Sequence, residues 1–282
     1  MELITSKQEL RKAVNRARQE GKKIGLVPTM GYLHRGHLSL IERAIKDTDF
    51  VVVSIFVNPL QFGAGEDYEE YPRDLRRDSK LVEELGADVV FAPSVEEMYG
   101  SDHGTYVEVF GLTERLCGAS RPGHFKGVTT VVSKLFNLVQ PDLAFFGQKD
   151  AQQVAVLKKM VKDLDLPVEI IALPIVREED GLALSSRNKY LNSKEREAAL
   201  VLFKSLQLAE KLIGEGERQA EKIRRQMVDF INSEPLANID YVEICSVDDL
   251  KPLKVLKGKI MIALAVKIGK TRLIDNLQLE VE

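Results

Sequence analysis

The chain has 282 residues, of which 44% are hydrophobic and 29% charged, and its formal net charge is -3. This composition supports a buried core in one large or two modest domains, and it excludes the basic footprint of a nucleic-acid binder and the charge run of an acidic tail. Two cysteines, Cys117 and Cys245, are too few for a disulfide framework. The opening residues MELITSKQEL hold no apolar signal core, and runs such as Val51–Val53 and Met261–Val266 are far shorter than a bilayer span. A soluble protein of the reducing cytoplasm, with no membrane and no nucleic-acid partner, is the expectation.

Lys23–Val27 reads as a strand, followed by a turn at Pro28–Gly31 and a helix that starts near His34–Gly36 and runs to about Lys46. Phe50–Val57 is a near-continuous apolar run, the pattern of a strand covered on both faces. Arg73–Leu85 has a helical pattern and stops at Gly86, a natural C-cap. Asp88–Phe91 is a strand, Phe125–Val139 a helix before Pro141, Leu143–Phe146 a strand, Asp150–Lys162 a helix and Val168–Ala172 a strand. Strands alternating with helices predict a parallel α/β sheet, whose ligands bind beyond the C-terminal ends of the strands. Further on the pattern changes. Asn192 and Glu195 have capping-box spacing before a long helix over Ser193–Leu212, and a polar break at Gly214–Gly216 precedes a second helix to about Ile231. Ile239–Ser246, Lys259–Lys267 and Arg272–Leu279 follow as strands with no helices between them, which predicts a smaller α+β domain. The expected division is 1–180 and 181–282.

The sharpest chemical signal is Pro28-Thr-Met-Gly-Tyr-Leu-His34-Arg-Gly36-His37, set between a strand and a helix. Residues three apart share a face of the first helical turn, where open N–H groups and the positive dipole end attract anions. Two imidazoles there can donate to phosphate oxygens, and Gly36 lets a flat ligand approach the backbone. Zinc fits less well, because the spacing is not that of a zincin and no Glu lies between the histidines. Ser54-Ile-Phe-Val-Asn58-Pro-Leu-Gln61 ends a buried strand with two amides able to hold hydroxyls and a carboxylate; turn chemistry at Asn58-Pro59 is the plain alternative for Asn58. Arg121-Pro-Gly-His124-Phe-Lys-Gly leads from a glycine-rich turn into a helix. Phe145-Phe146-Gly147-Gln148-Lys149-Asp150-Ala-Gln-Gln153 again sets a glycine, a cation and polar groups between strand and helix. Leu184-Ser185-Ser186-Arg187 offers two hydroxyls and a guanidinium, a phosphate clamp or an ordinary loop.

The His-x-Gly-His pattern resembles the nucleotidyltransferase superfamily that includes the class I aminoacyl-tRNA synthetases. The five stretches together, in this order from about Ile24 to Asn188, resemble the pantothenate synthetase family. Tyr32 stands where a small residue is common in that family, and Gln148 where Glu is also common. The resemblance implies a Rossmann-like parallel sheet with helices on both faces, plus a C-terminal lid. It implies that pantoate and β-alanine are joined with ATP through a pantoyl-adenylate. The ATP site would comprise Met30, Gly31, Tyr32, Leu33, His34, Arg35, Gly36 and His37, then Gly147, Gln148, Lys149 and Asp150, then Val176, Leu184, Ser185, Ser186 and Arg187. His37, His34 and Lys149 would carry the catalysis. Gln61 and Gln153, with Asn58, would hold pantoate, and Gln61 would also line the β-alanine entry. Mg²⁺ would bridge phosphates of ATP itself, with no protein residue identified as a metal ligand. By analogy the protein would be a homodimer.

Gly63–Asp74 reads equally as a loop over the site and as a solvated connector. His103 reads as structural or exposed, and Cys117 and Cys245 as inert buried thiols. Two rival functions stay open on sequence grounds. One is an enzyme that leaves a stable nucleotide adduct, and the other is a nucleotide-binding regulator without activity.

Overall fold

The computed structural model describes residues 1–282. The chain divides into two compact units, one of Met1–Phe110, Arg121–Gln148 and Val156–Pro174, the other of Gly111–Ser120, Lys149–Ala155 and Ile175–Glu282.

The first unit opens with two elements that precede the first strand read from the sequence, β1 (Glu2–Ile4) and α1 (Lys7–Gln19). Helix α1 is capped by the Ser6 hydroxyl and buries Leu10, Ala13, Val14 and Ala17, an amphipathic stripe of helical period. Then come β2 (Ile24–Thr29), α2 (Arg35–Asp47), β3 (Phe50–Ile55), α3 (Leu75–Leu85), β4 (Val89–Phe91) and the short α4 (Val95–Tyr99). The one-turn α5 (Cys117–Ser120) belongs to the second unit; α6 (His124–Val139), β5 (Leu143–Gly147), α7 (Ala151–Asp163) and β6 (Glu169–Leu173) follow.

All six strands of the first unit are parallel, in the order β1-β4-β3-β2-β5-β6. The apolar run of β3 behaves as its composition predicts, with Val51, Val52 and Val53 all buried. One face of the sheet takes Val27, Val51, Val53 and Phe145 against Leu40, Ile41 and Ala44 of α2 and Val82 of α3, and α1 and α6 lie against β2. Each such aliphatic side chain withdrawn from water stabilises the fold by about 1.5–3 kcal/mol. At the N-terminal edge of the sheet, aspartates satisfy backbone N–H groups that have no ladder partner. Asp142 accepts from Ile24 N at 2.7 Å, Asp88 from Val51 N at 2.8 Å and Asp49 from Lys23 N at 3.0 Å.

The strand order reverses between β2 and β5, because β2 leads outward to β3 on one side and pairs with β5 on the other. Ligands of open α/β sheets bind at such a switch point, beyond the C-terminal strand ends. Strands β2 and β5 are neighbours, paired at Gly25–Leu143 and Leu26–Ala144. Two of the motifs singled out from the sequence therefore leave the sheet side by side.

The second unit holds α8 (Ser193–Ala198), α9 (Leu200–Gly214), α10 (Ala220–Asn232) and an antiparallel sheet of β7 (Ala237–Ser246), β8 (Gly258–Ile268) and β9 (Thr271–Val281), with β8 central. The expected capping box is present, with Asn192 Oδ1 accepting from Lys194 and Glu195 N and Glu195 Oε2 accepting from Asn192 N. The single helix expected over Ser193–Leu212 is two segments that meet at Ala199. Strand β8 has no polar alternation over 260–266 because both its faces are covered. Ile260, Ile262, Leu264 and Val266 join Leu202, Leu206, Ile223 and Met227 of the helices, while Met261 and Ala263 join Leu116, Ala151, Cys245 and Leu250. Both cysteines are free and buried. Burial pushes the Cys245 thiol up to about 12, helped by the nearby charges of Glu243 and Asp249, as befits an inert thiol.

The Arg177 guanidinium makes a two-pronged bond to Asp275 of β9, at 2.6 and 2.9 Å, and donates to Gly181 O at 3.0 Å. The Asp275 side chain is 1% exposed. Loss of Asp275 would leave the half-buried Arg177 guanidinium with only Gly181 O and the Phe203 ring as partners. Asp275→Ala is expected to lower the unfolding free energy by about 3 kcal/mol, measured by chemical denaturation; a change under about 1 kcal/mol would mean that the pair carries no weight.

Candidate active site

The turn after β2 is held from below by one carboxylate. Gly31 (φ 84°) and Tyr32 (φ 50°) are both left-handed, a conformation that costs Tyr roughly 1–2 kcal/mol. Asp78 of α3 offsets that strain, accepting from Tyr32 N at 2.6 Å and from Leu33 N at 2.9 Å. Asp78 is fully buried. Arg77 donates to the same carboxylate at 3.2 Å and to Leu33 O at 2.8 Å, and its guanidinium lies 5.2 Å from the centre of the Tyr32 ring. Thr29 ties the start of the turn, accepting from Gly31 N and donating to Ser54 O on β3. Asp78 did not stand out in sequence reading. The available signal was an aspartate four residues before buried Val82, on the apolar face of a helix.

So held, the chain enters α2 with His34 as N-cap. His34 Nδ1 accepts from Gly36 N at 3.2 Å, and His37 Nδ1 accepts from His34 N at 3.3 Å. The two rings lie 4.0 Å apart between centroids. A nitrogen that accepts from an N–H carries no proton, so each neutral ring has its proton on Nε2. The backbone thereby sets the tautomer of both histidines, giving two Nε2–H donors on the first turn of a helix at the switch point. Arg35, by contrast, is exposed and reaches along α2 to Glu42 at 2.5 Å.

Beyond β3, Asn58 and Gln61 form one buried pair. Asn58 is 1% exposed and caps the 3-10 turn Pro59–Gln61. Its Oδ1 accepts from Leu60 N and from the Tyr99 hydroxyl, and its Nδ2 donates to Gln61 Oε1 and to Gly127 O. The amide of Asn58 is thus fully used within the fold, as its turn-forming reading anticipates. Gln61 Nε2 lies 3.0 Å from Met30 Sδ, which joins this pair to the histidine turn. Helix α6 sits directly on it, since a Cβ on Gly127 would lie 2.2 Å from Leu60 O. The backbone of Gln61 is also gripped, with His124 Nδ1 at 2.8 Å and Arg121 Nη2 at 3.3 Å from its carbonyl oxygen.

The 63–74 segment is folded on itself. Arg73 donates to the carbonyls of Tyr68, Glu69 and Tyr71, and Phe62 stacks edge-on against Tyr68 and Tyr71. Glu66 accepts from Arg121 Nε and Nη2, each at 2.6 Å, and from Gly63 N. His103 is half-buried, with its ring between those of Tyr99 and Tyr106.

Gly147 ends β5. A Cβ there would meet nothing within 4 Å, and its φ is not left-handed. Neither packing nor backbone demands glycine at this position. Gln148–Asp150 make a 3-10 turn in which Lys149 is half-buried and Asp150 exposed. In the second unit, Asn276 Nδ2 donates to Lys149 O at 3.0 Å and fixes that backbone. Gln152 is tied to Leu112 O and Arg115 O, whereas half-buried Gln153 has no such tie. Val176–Leu184 form a tight hairpin, closed by Leu184 N to Val176 O and by the Arg177–Ala183 bridge. Its Gly181 (φ 98°) lies against Phe203, and its end delivers Ser185, whose hydroxyl accepts from Arg187 N, and buried Ser186.

A parallel sheet with a switch point, from which a His-x-Gly-His turn opens a helix, defines an α/β protein of the doubly wound type. Within that class the chain belongs to the pantoate-beta-alanine ligase family, whose model matches residues 2–278, and it is a ligase. It is 59% identical over 283 residues to a pantothenate synthetase of Carboxydothermus hydrogenoformans, with each chain covered in full. It is 62% identical over 276 residues to that of Thermoanaerobacter sp., with 98% of each covered. Among solved structures, pantothenate synthetase from Thermus thermophilus superposes with a TM-score of 0.94 at 48% identity, covering 98% of this chain and 99% of that one. Pantoate-beta-alanine ligase from Francisella tularensis, complexed with beta-gamma ATP and beta-alanine, superposes with a TM-score of 0.80 at 36% identity, covering 98% and 97%.

Two carboxylates of the first unit respond to pH in opposite senses. Burial raises Asp78 above its ordinary 3.8, against the bonds from Leu33 and Tyr32 N–H and the charge of Arg77. Its burial therefore stabilises most fully below 3.8 and less as pH rises through the raised value. For Glu66, burial works upward, but the bonds and charge of Arg121 and the Gly63 N–H hold it down at about 2. Its contribution is complete above the ordinary 4.5 and is lost as pH falls toward about 2. Amide exchange at Gly63, corrected for the intrinsic rate, should show constant protection from pH 7 to 5 and a decline below about 4.5. A flat profile would show that Glu66 does not hold the segment. Asp78→Asn should cost about 1–3 kcal/mol in urea denaturation, because its NH₂ would face one of two N–H donors. Unchanged stability would remove Asp78 as the anchor of the turn.

Proposed function

We propose that this ligase joins pantoate to β-alanine at the expense of ATP, in two steps through a pantoyl-adenylate. A pantoate carboxylate oxygen attacks the α-phosphorus and displaces pyrophosphate. The amine of β-alanine then attacks the acyl carbon, and AMP leaves. A carboxylate is a poor acyl donor, and adenylation supplies the leaving group it lacks. The observation that carries this reading is the pair of Nε2–H donors of His34 and His37, whose proton positions are set by backbone bonds. Donors fixed in advance stabilise charge that grows on phosphate oxygens without reorganising at the moment of reaction.

The remaining roles follow from residue chemistry. The Met30–His37 turn binds the nucleotide, with Gly147, Gln148, Asp150 and Val176 about the nucleoside. Lys149 and Leu184–Arg187 bind the phosphates, the guanidinium of Arg187 suiting bidentate contact. Gln61 and Gln153 hold pantoate, with Asn58 fixing Gln61 and Gln61 also lining the β-alanine entry. Support for ATP and β-alanine as substrates comes from the Francisella tularensis relative and its ligands. Magnesium would arrive as part of the nucleotide substrate and would offset the charge of its phosphates. A cytoplasmic homodimer completes the reading; sedimentation at micromolar concentration tests the assembly.

The two-step scheme requires that pantoate alone support exchange of labelled pyrophosphate into ATP. His37→Ala should slow that exchange by about 10²–10³ with a much smaller effect on ATP affinity. Exchange that strictly needs β-alanine would replace the stepwise adenylate with a concerted reaction. A stable nucleotide adduct in place of AMP and amide would favour the rival transferase.

A further inference from the structure

Tyr99 ends α4 with 9% of its surface exposed. Its ring lies between Phe56, at 6.0 Å, and His103, at 4.8 Å, so the hydroxyl has one direction. That hydroxyl donates to Asn58 Oδ1 at 2.6 Å, the shortest of the four bonds to this amide. Burial raises the Tyr99 pKa, with the neighbouring Tyr106 adding to it, so the O–H remains a donor across the working pH range.

Backbone groups decide which way the Asn58 amide points. Exchanging its oxygen and nitrogen would set an oxygen against Gly127 O and an NH₂ against Leu60 N–H. Both contacts are forbidden, so Nδ2 faces Gln61. The atom that Gln61 turns to Asn58 must then be its acceptor, Oε1, at 3.0 Å. The opposite end of the Gln61 amide is an NH₂, with the weak acceptor Met30 Sδ beside it at 3.0 Å. Gln61 therefore offers hydrogens, and the group it recognises is an oxygen acceptor, a carboxylate or a hydroxyl oxygen. The opposite orientation would offer a lone pair and repel a carboxylate.

We infer that Tyr99 is a positioning residue for the acid substrate, acting through Asn58 to hold Gln61 with its NH₂ presented. Of the two bonds to Asn58 Oδ1, the one from Leu60 N is long at 3.3 Å, so the tyrosine hydroxyl is the stronger restraint. Without it Asn58 rocks about its remaining bonds, and Gln61 loses a fixed aim at a small ligand. This inference rests on the proposed assignment of Gln61 to pantoate.

A double-mutant cycle on the full-length enzyme tests it, with thermal midpoints recorded for each variant. Tyr99→Phe keeps the ring and removes only the hydroxyl. The expected result is a KM for pantoate raised about three- to tenfold, the effect of one lost hydrogen bond, with ATP affinity unchanged. In a Gln61→Ala background the same change should add less than about twofold, because the group it positions is gone. Two results would overturn the inference. One is an unchanged pantoate KM for Tyr99→Phe when Gln61→Ala raises it. The other is a full Tyr99→Phe effect persisting in the Gln61→Ala background, which marks a general structural role. If Gln61→Ala itself leaves pantoate binding intact, the assignment of Gln61 to the acid fails, and the role of Tyr99 falls with it.

Discussion

The Asp78 carboxylate is where the local order of the histidine turn begins. A chain leaving a parallel strand toward a helix ordinarily leaves its first N–H groups to water. Here two of them, on Tyr32 and Leu33, are taken by a carboxylate brought in by a different helix, and Arg77 from that helix holds the Leu33 carbonyl as well. The left-handed pair Gly31–Tyr32 persists because these bonds over-determine it. Everything downstream inherits that geometry. With residues 31–33 fixed, His34 arrives as N-cap, its ring bonds forward to Gly36, and the His37 ring bonds back to His34. A buried carboxylate thus sets the position of two rings it does not touch.

The second unit uses the same device at another scale. Asp275 on β9 is buried and takes both prongs of Arg177, which spans the neck of the 176–184 hairpin through Gly181 O. Asp275 also accepts from Asn276 N, and Asn276 reaches the Lys149 backbone. Glu178 and Asp180 at the tip take Arg196 of α8. The hairpin that ends at Ser185–Arg187 is therefore tied to strand and helix through charge-assisted bonds, which are stronger and more directional than apolar contact.

What could be read in the sequence depended on range. The β2 and β3 strands, α3 with its Gly86 cap and the Asn192–Glu195 box follow from patterns within a few residues, and they stand within two residues of where those patterns put them, β2 running on through Pro28 to Thr29. The His-x-Gly-His turn was legible for the same reason, as glycine and paired histidines occupy adjacent positions. Asp78 was not, because its partners lie 45 and 46 residues away and its immediate neighbours look like an ordinary charged helix. Tyr99 is separated from Asn58 by 41 residues and sits in a helix too short to show a period. Ala199 breaks a helix where nothing in composition marks a break, and β1 is too brief to rise above its charged surroundings.

The aspartates at the N-terminal strand ends bear on how this scaffold can change. On that side three of the connections are the short spans 48–49, 86–88 and 140–142, each carrying an aspartate bound to a backbone N–H at or beside a strand start. An insertion there would uncouple a carboxylate from the backbone it satisfies and expose the sheet end. On the opposite side the spans 30–34 and 56–74 owe their shape to side chains, not to the ladder. Outside the histidine turn and the Asn58–Gln61 pair, length and residue type can drift there while the sheet stays intact. The molecule thus has one edge that resists mutation and one that can be rewritten, and altered substrate preference, natural or engineered, is to be sought along the second.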